Sequence, residues 1–552
     1  MAREGHKYIF VLGGVMSGVG KGVVTSSIGL LLQQKGYSVN LVKVDPYLNV
    51  DAGTMNPTEH GETFVLRSGL ETDQDMGNYE RFLGRDLTNE DYMTSGMVYQ
   101  SVIERERALA YGGKCVEAIP HVRDEILHRI EAAAAQNGSR MSVIEIGGTI
   151  GDFQNALFIE AARVLKMNHP DDVLFVMVSY LPTPGTLGEM KTKPTQTAVR
   201  DLNSYGVQPD FIFARSKEPM DEKRKEKLAI WCNVRKDRII SAPDIKSIYE
   251  APLNFEKDKL SEALLDALKL PEKRIASLAA WKKFATAVSN TKAPEVSIAI
   301  VGKYFDTGDF VLSDAYLSVI EAIKFSTAKL GLRPKITWVN SKHLEKPGAK
   351  PSALLAGYDG IIVPGVFGES GIEGKIKAIQ FAREKKIPYF GLCYGMQLMV
   401  IEYARNVLGL TDANTTEIKK NTKDPIVDVM LEQKKHLASN KYGGTMRLGV
   451  YPAYLKKGTL ARAAYKKELV EERHRHRYEI NPAYVKRLED AGLVFSGTSP
   501  DGVLMEIAEL PRTVHPFMLG TQFHPELQAR PLDPHPLFTD FLKAASVQKK
   551  KK

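Results

Sequence analysis

Three groups of residues in this chain have the types and spacing that chemistry requires. The first is Gly13-Gly14-Val15-Met16-Ser17-Gly18-Val19-Gly20-Lys21-Gly22, which follows the apolar run 8–12 and opens a helical pattern. Glycines there let backbone N–H groups turn onto phosphate oxygens, the helix N-terminus adds its dipole, and Lys21 can bridge phosphates. The first glycine lies one residue upstream of the usual phosphate-loop spacing, and Gly22 stands where a magnesium-binding hydroxyl would be. Alone, the run also fits a glycine-rich strand-to-helix turn; its context favours a nucleotide. Magnesium must then find carboxylates elsewhere, and Asp75 and Glu145 are the candidates. Glu145 lies inside the apolar run 141–146, where an unpaired carboxylate is costly. Lys43 ends a similar run, so Lys21, Lys43, Asp75 and Glu145 are expected at the carboxyl edge of one parallel sheet.

The second group is Phe390-Gly391-Leu392-Cys393-Tyr394-Gly395-Met396-Gln397. A cysteine on a tight strand-to-helix turn is exposed, and a helix N-terminus favours its thiolate. Far downstream, Gln522-Phe523-His524-Pro525-Glu526 supplies His524 as general base and Glu526 to orient its imidazole. The third group, Arg473-His474-Arg475-His476-Arg477, invites a metal reading, but no third ligand is evident nearby. An arginine that clamps an amino-acid carboxylate is the better expectation.

The elements that must position these groups follow from the apolar pattern. Runs at 8–12, 39–44, 141–146, 173–178 and 211–214 are short and rich in β-branched residues, with helical patterns at 24–34 and 122–135 between them. That rhythm predicts βαβ units and a doubly wound α/β sheet. The charged run 221–227 is read as one solvated helix face. A Lys-rich stretch ending at Thr291-Lys292-Ala293-Pro294 precedes new strands at 296–301, 360–364, 388–392 and 517–523. The expected organisation is an N-terminal domain over 1–272, a linker over 273–294, a second doubly wound α/β domain over 295–546 and a basic tail over 547–552.

Composition bounds the function. The 552 residues are 43% hydrophobic and 26% charged, as in soluble globular proteins. Three cysteines cannot make a disulfide framework, and no secretory pattern opens the chain, so a cytoplasmic location is expected. The longest apolar run, 173–181, is too short to span a membrane. Of the formal charge of +9, residues 549–552 supply four units as a run expected to be solvated and disordered. The remainder suits anionic small molecules, and no aromatic-interleaved basic stretch argues for nucleic acid.

Over nearly its whole length the chain resembles the CTP synthase family. Besides the phosphate loop and the Cys393 and His524 elements, the matching stretches include Lys43-Val44-Asp45-Pro46-Tyr47, His60-Gly61-Glu62, Asn78-Tyr79-Glu80-Arg81-Phe82 and Gly444-Thr445-Met446-Arg447-Leu448-Gly449. The resemblance implies an amidoligase domain joined to a class I glutaminase domain, with ATP phosphorylating UTP and ammonia displacing phosphate to give CTP. It implies that Gly18, Val19, Gly20, Lys21, Gly22 and Asp75 hold ATP, that Asp75 and Glu145 bind Mg²⁺, and that Lys43 assists phosphoryl transfer. Ser17, Asp152-Phe153-Gln154, Lys191-Thr192-Lys193-Pro194-Thr195-Gln196 and Lys227 match positions that bind UTP or the inhibitor CTP, although Gln154 replaces a usual glutamate. Cys393, His524 and Glu526 match the glutaminase triad; Val366, Tyr394, Gly395, Met396, Gln397, Glu417 and Arg477 match glutamine-holding positions. A homotetramer, filaments and activation by GTP are further family expectations.

Two departures stand out. Pro364-Gly365-Val366-Phe367-Gly368 carries a stiff β-branched residue at the oxyanion position, and Ser370 replaces a lid arginine. They predict a weak glutaminase with reduced response to GTP. The competing readings are another glutamine-dependent ligase of cobyric-acid type, which the uridine-site stretches disfavour, and a filament-forming scaffold with an inactive glutaminase half.

Overall fold

The computed structural model describes residues 5–136, 138–185, 188–273, 277–303, 313–365, 371–430, 433 and 443–551. The chain forms two compact units, Met1–Asp51 with Asn78–Ser289, and Ala52–Gly77 with Asn290–Lys552.

In the first unit the five apolar runs become parallel strands, joined by two shorter ones. Their order across the sheet is Tyr92–Thr94, Val39–Asp45, Met141–Ile146, Lys7–Gly13, Val173–Tyr180, Phe211–Ser216 and Ile239–Pro243. Every residue of the three strands Lys7–Gly13, Val39–Asp45 and Met141–Ile146 is buried, because helices cover both faces of a parallel sheet. The chain leaves Lys7–Gly13 toward one edge and its neighbour Met141–Ile146 toward the other. The crevice at their carboxyl ends is therefore a topological switch point, where ligands bind.

The second unit is a mixed nine-stranded sheet. Arg333–Asn340, Glu295–Gly302, Gly360–Val363, Tyr389–Leu392 and Met518–Thr521 are parallel. Met505–Glu509, Val494–Thr498, Arg447–Leu455 and Leu469–His476 then continue it antiparallel. The apolar runs of the sequence mark only the parallel half; the antiparallel half carries charged residues on strands the pattern did not disclose.

Two expected boundaries differ. The middle of the linker expected over 273–294 is the helix Ala279–Val288, whose Trp281 is buried against Phe82 and Tyr249 at ring separations of 5.0 and 5.9 Å. The first unit thus runs to Ser289, while 52–77 joins the second unit. The expected disordered tail is instead the end of the helix Pro536–Lys551, anchored by buried Leu537, Phe538, Phe541 and Leu542. Once nucleated by that apolar face, a helix propagates cheaply, and lysines suit the negative end of its dipole.

Candidate functional site

The phosphate loop of the first unit runs from the strand Lys7–Gly13 into the helix Lys21–Gln34. Gly18 and Gly20 take φ of +72° and +89°, a left-handed backbone that glycine adopts without strain. The Lys21 amine donates to the Gly148 carbonyl at 2.6 Å, across the switch-point crevice. Beside it, buried Lys43 donates to Glu145 Oε1 at 2.9 Å and lies 3.7 Å from Asp45. The Tyr79 hydroxyl donates to the other Glu145 oxygen. The carboxylate is thus held by a cation and a hydroxyl, as burial of a charge demands. Glu145 keeps the hard oxygen chemistry that Mg²⁺ takes, so the donor type fits a magnesium–phosphate site. Among the described residues, no group of three or more His, Cys, Asp or Glu side chains is placed to hold a metal by itself.

Lys21, Lys43 and Glu145 therefore share one edge. Asp75 lies in the first turn of the helix Gln74–Leu83, one turn before Tyr79, its N–H bonded to Asp73 Oδ1 at 2.8 Å. The pyrimidine-matching residues all lie in the first unit. Phe153 is 94% exposed, and Ser17, Gln154, Lys193 and Lys227 are exposed too. Asp152 accepts from the Thr149 N–H at 2.5 Å, and Lys191 pairs with Glu189 at 2.5 Å. Thr195 and Gln196 are turned inward: their side chains bond Ser179 at 2.8 Å and Thr192 at 3.1 Å, supporting the helix Lys193–Ser204 that begins beside Pro194.

In the second unit, Cys393 follows the strand Tyr389–Leu392 and caps the helix Tyr394–Asn406. Its φ of +49° is unusual for a residue with a side chain; contrary to the expected exposure, the residue is buried, because it sits at the base of the strand-to-helix turn within the cavity described below. The turn needs the flanking glycines. A Cβ on Gly395 would lie 2.0 Å from the Val363 carbonyl oxygen, and one on Gly391 would meet Gly395 at 2.7 Å. Leu392 pairs with Thr521 on the adjacent parallel strand, so Cys393 and His524 emerge from neighbouring strand ends. Both border Gly365, where a Cβ would lie 3.0 Å from His524 Cε1 and 3.4 Å from Cys393 Cβ.

His524 Nδ1 bonds Glu526 Oε1 at 2.7 Å, while buried Nε2 makes no hydrogen bond. Burial pulls this imidazole down, but the Glu526 carboxylate and the Cys393 sulfur outweigh it and raise the pKa to about 10. Glu526 and the Cys393 sulfur each act on the imidazole through charge and through hydrogen bonding, with the Glu526 charge the largest contribution that raises it. The arrangement can take a proton from the thiol and hold it as imidazolium.

A cavity of about 290 Å³ opens over Cys393 and His524, and Tyr394, Gln397, Glu417 and Arg477 line it. Gly395 and Met396 are buried on the helix behind and do not line it. Val366 and Ser370 lie outside the described residues, and with them the oxyanion segment and the lid. Arg477 donates to Gln433 and Thr445, each at 2.8 Å. His474 and His476 bond each other at 2.9 Å in the interior, and burial holds both well below the ordinary histidine range.

Other residues escaped the sequence reading. Pro57, Glu62 and Thr63, from the segment 52–77, line the same cavity, as does Arg475. Arg475 Nε donates to buried Glu71 at 2.7 Å, and Arg473 to the Val65 carbonyl at 3.0 Å, tying that segment to the strand Leu469–His476. For Arg475 the sequence signal was its place in the Arg473–Arg477 run, and for the segment it was the match at His60-Gly61-Glu62; no periodicity reveals where a short irregular segment packs.

The description "CTP synthase N-terminus" matches residues 7–270, and "Glutamine amidotransferase class-I" matches 311–544. The CTP synthase of Pyrococcus furiosus is 49% identical over 550 residues, covering 99% of each chain. That of Methanocaldococcus jannaschii is 47% identical over 550 residues, covering 98% of this chain and 99% of the relative. Among solved structures, the glutaminase domain of Trypanosoma brucei CTPS with bound acivicin is 40% identical, covering 46% of this chain and 94% of that one, with a TM-score of 0.42. No described helix is long and apolar enough to cross a membrane. With an ATP-type loop in one unit, a cysteine–histidine–glutamate array in the other and this similarity from end to end, the chain belongs to the CTP synthase family of glutamine-dependent ligases.

Proposed function

We propose that this protein aminates UTP to CTP at the expense of ATP, using ammonia that it releases from L-glutamine. The observation that carries the reading is the Cys393–His524–Glu526 array on the floor of a cavity, in a chain that also holds the Lys21–Lys43–Glu145 edge. In the glutaminase half, His524 Nε2 takes the Cys393 proton and the thiolate attacks the side-chain amide carbon of glutamine. The imidazolium returns the proton to the departing ammonia, and water then hydrolyses the thioester to glutamate. Tyr394, Gln397, Glu417 and Arg477 orient the substrate, with the Arg477 guanidinium meeting its α-carboxylate.

In the ligase half, Gly18 to Gly22 and Lys21 hold the ATP phosphates, and Lys43 neutralises charge on the phosphoryl group in transfer. Glu145 would hold Mg²⁺, which would add further charge neutralisation. The 4-oxygen of UTP takes the γ-phosphoryl group, and ammonia displaces phosphate at C4. Exposed Phe153, Lys193 and Lys227 have the stacking face and cations that a pyrimidine nucleotide needs. CTP shares those contacts and so inhibits. GTP activation, a homotetramer and a cytoplasmic location complete the reading.

The test is CTP formation from UTP and ATP with ammonium or with glutamine, in the wild type and in Cys393→Ala. The variant should keep the ammonium reaction and lose the glutamine reaction. No CTP from either source in the wild type, or an unchanged glutamine reaction in the variant, would overturn the reading.

A further inference from the structure

Gln522 is fully buried two residues before His524, and the reading above gives it no role. Its side-chain Nε2 donates to Cys393 Sγ at 3.6 Å, a normal reach for an N–H to sulfur contact. Its Oε1 accepts from Gln397 Nε2 at 3.1 Å, and the same Gln397 nitrogen donates to the Tyr478 carbonyl at 2.9 Å. Which end of an amide is nitrogen is decided by such partners. A backbone carbonyl only accepts, so the Gln397 group facing Tyr478 must be its NH₂. That NH₂ then faces Gln522, so the facing Gln522 atom must be oxygen. The remaining end of Gln522, an NH₂, is left against the sulfur. Each orientation forces the next, and the chain starts from an atom that cannot flip.

We infer that Gln522 is a further catalytic residue of the glutaminase half: its amide donates to the Cys393 sulfur and stabilises the thiolate, with Gln397 as the positioning residue that locks it. The inference rests on Cys393 being the nucleophile. The thiol form offers its own proton to the Arg475 carbonyl at 3.9 Å, a weak contact. When that proton passes to His524 Nε2, the sulfur becomes a pure acceptor and the Gln522 bond gains charge assistance. The interaction is thus stronger after proton transfer than before it, which is what makes a contact catalytic. Gln522 does not line the cavity, so its work is on the sulfur alone. Gln397 lines the cavity, yet both hydrogens of its amide are committed to Tyr478 and Gln522, leaving only its oxygen for a ligand.

Two variants of the full chain test this. Gln522→Met fills the space without a donor, and Gln522→Asn keeps the amide but falls one C–C bond short of the sulfur. Iodoacetamide labelling of the Cys393 peptide, read by mass spectrometry as a function of pH, separates it from exposed Cys115 and buried Cys232. Ammonia-dependent CTP formation in the same samples reports that the chain is folded. Both variants should label Cys393 about ten-fold more slowly at pH 7, the deficit closing as pH rises, with glutamine kcat falling while KM holds. A wild-type labelling profile in either folded variant overturns the inference. Retention of glutamine hydrolysis in Cys393→Ala would instead overturn the assignment of the nucleophile, a separate result.

Discussion

Glu526→Gln removes one charge from the glutaminase array and almost nothing else. The carboxylate sits 2.7 Å from His524 Nδ1, and both side chains are largely buried. Their environment raises the imidazole from 6.5 to about 10 against the opposing effect of burial. That shift corresponds to about 5 kcal/mol of net preference for the imidazolium, shared between Glu526 and the Cys393 sulfur. Assigning half to the carboxylate gives about 2–3 kcal/mol, or a ~50–100-fold loss of glutamine hydrolysis. The neutral amide can still accept from Nδ1–H through its oxygen, so the tautomer persists and the loss is mainly electrostatic. Glutamate release should therefore fall by that factor at pH 7, while CTP formation from ammonium is unchanged. The deficit should shrink as pH rises and the thiolate no longer depends on a neighbouring cation. Glutamine hydrolysis within three-fold of wild type, or an equal loss from both nitrogen sources, would refute the reasoning.

Glu145→Gln leaves buried Lys43 without its 2.9 Å counter-charge, so CTP formation should vanish with either nitrogen source while glutamine hydrolysis continues; thermal unfolding should also come earlier, since breaking a buried pair costs about 3–5 kcal/mol. CTP should inhibit in competition with UTP, and Gln154→Glu should alter that inhibition more than it alters turnover; initial rates at varied UTP and CTP decide it. Acid should unfold the second unit through His515. Burial holds this histidine down at about 4, with Nε2–H donating to the Ala382 carbonyl and Nδ1 accepting from the Phe517 N–H. Its folded-state pKa lies below the unfolded value near 6.5, so the unfolded chain binds the extra proton first. Stability is full above pH 6.5 and falls by about 3 kcal/mol toward pH 4, a slope that His515→Gln should flatten in denaturant titrations at varied pH.

The sequence by itself determined the elements whose signal is local. The apolar run 141–146 is the strand Met141–Ile146, because a strand buried on both faces must be apolar along its length. The Gly-flanked Cys393 marks its own elbow, since only glycines fit where the turn presses on Val363 and on itself. The family, the two α/β units and the Cys–His–Glu order were legible for the same reason: short motifs carry their own steric requirements. Only the tertiary structure decided what depends on distant partners. The end of the antiparallel strand Leu469–His476 reads as Arg-His-Arg-His, a run that invites a metal or carboxylate reading until Glu71 and the Val65 carbonyl are placed against the arginines and the histidines against each other. Likewise, Gln522 looks like a spacer before His524. It contacts the nucleophile because the strand that ends just before it, Met518–Thr521, pairs with the one that ends at Leu392, and its orientation depends on a glutamine 125 positions away. Hydrogen-bond partners between side chains far apart in sequence leave no periodicity, so no pattern of residue types along the chain could have shown them.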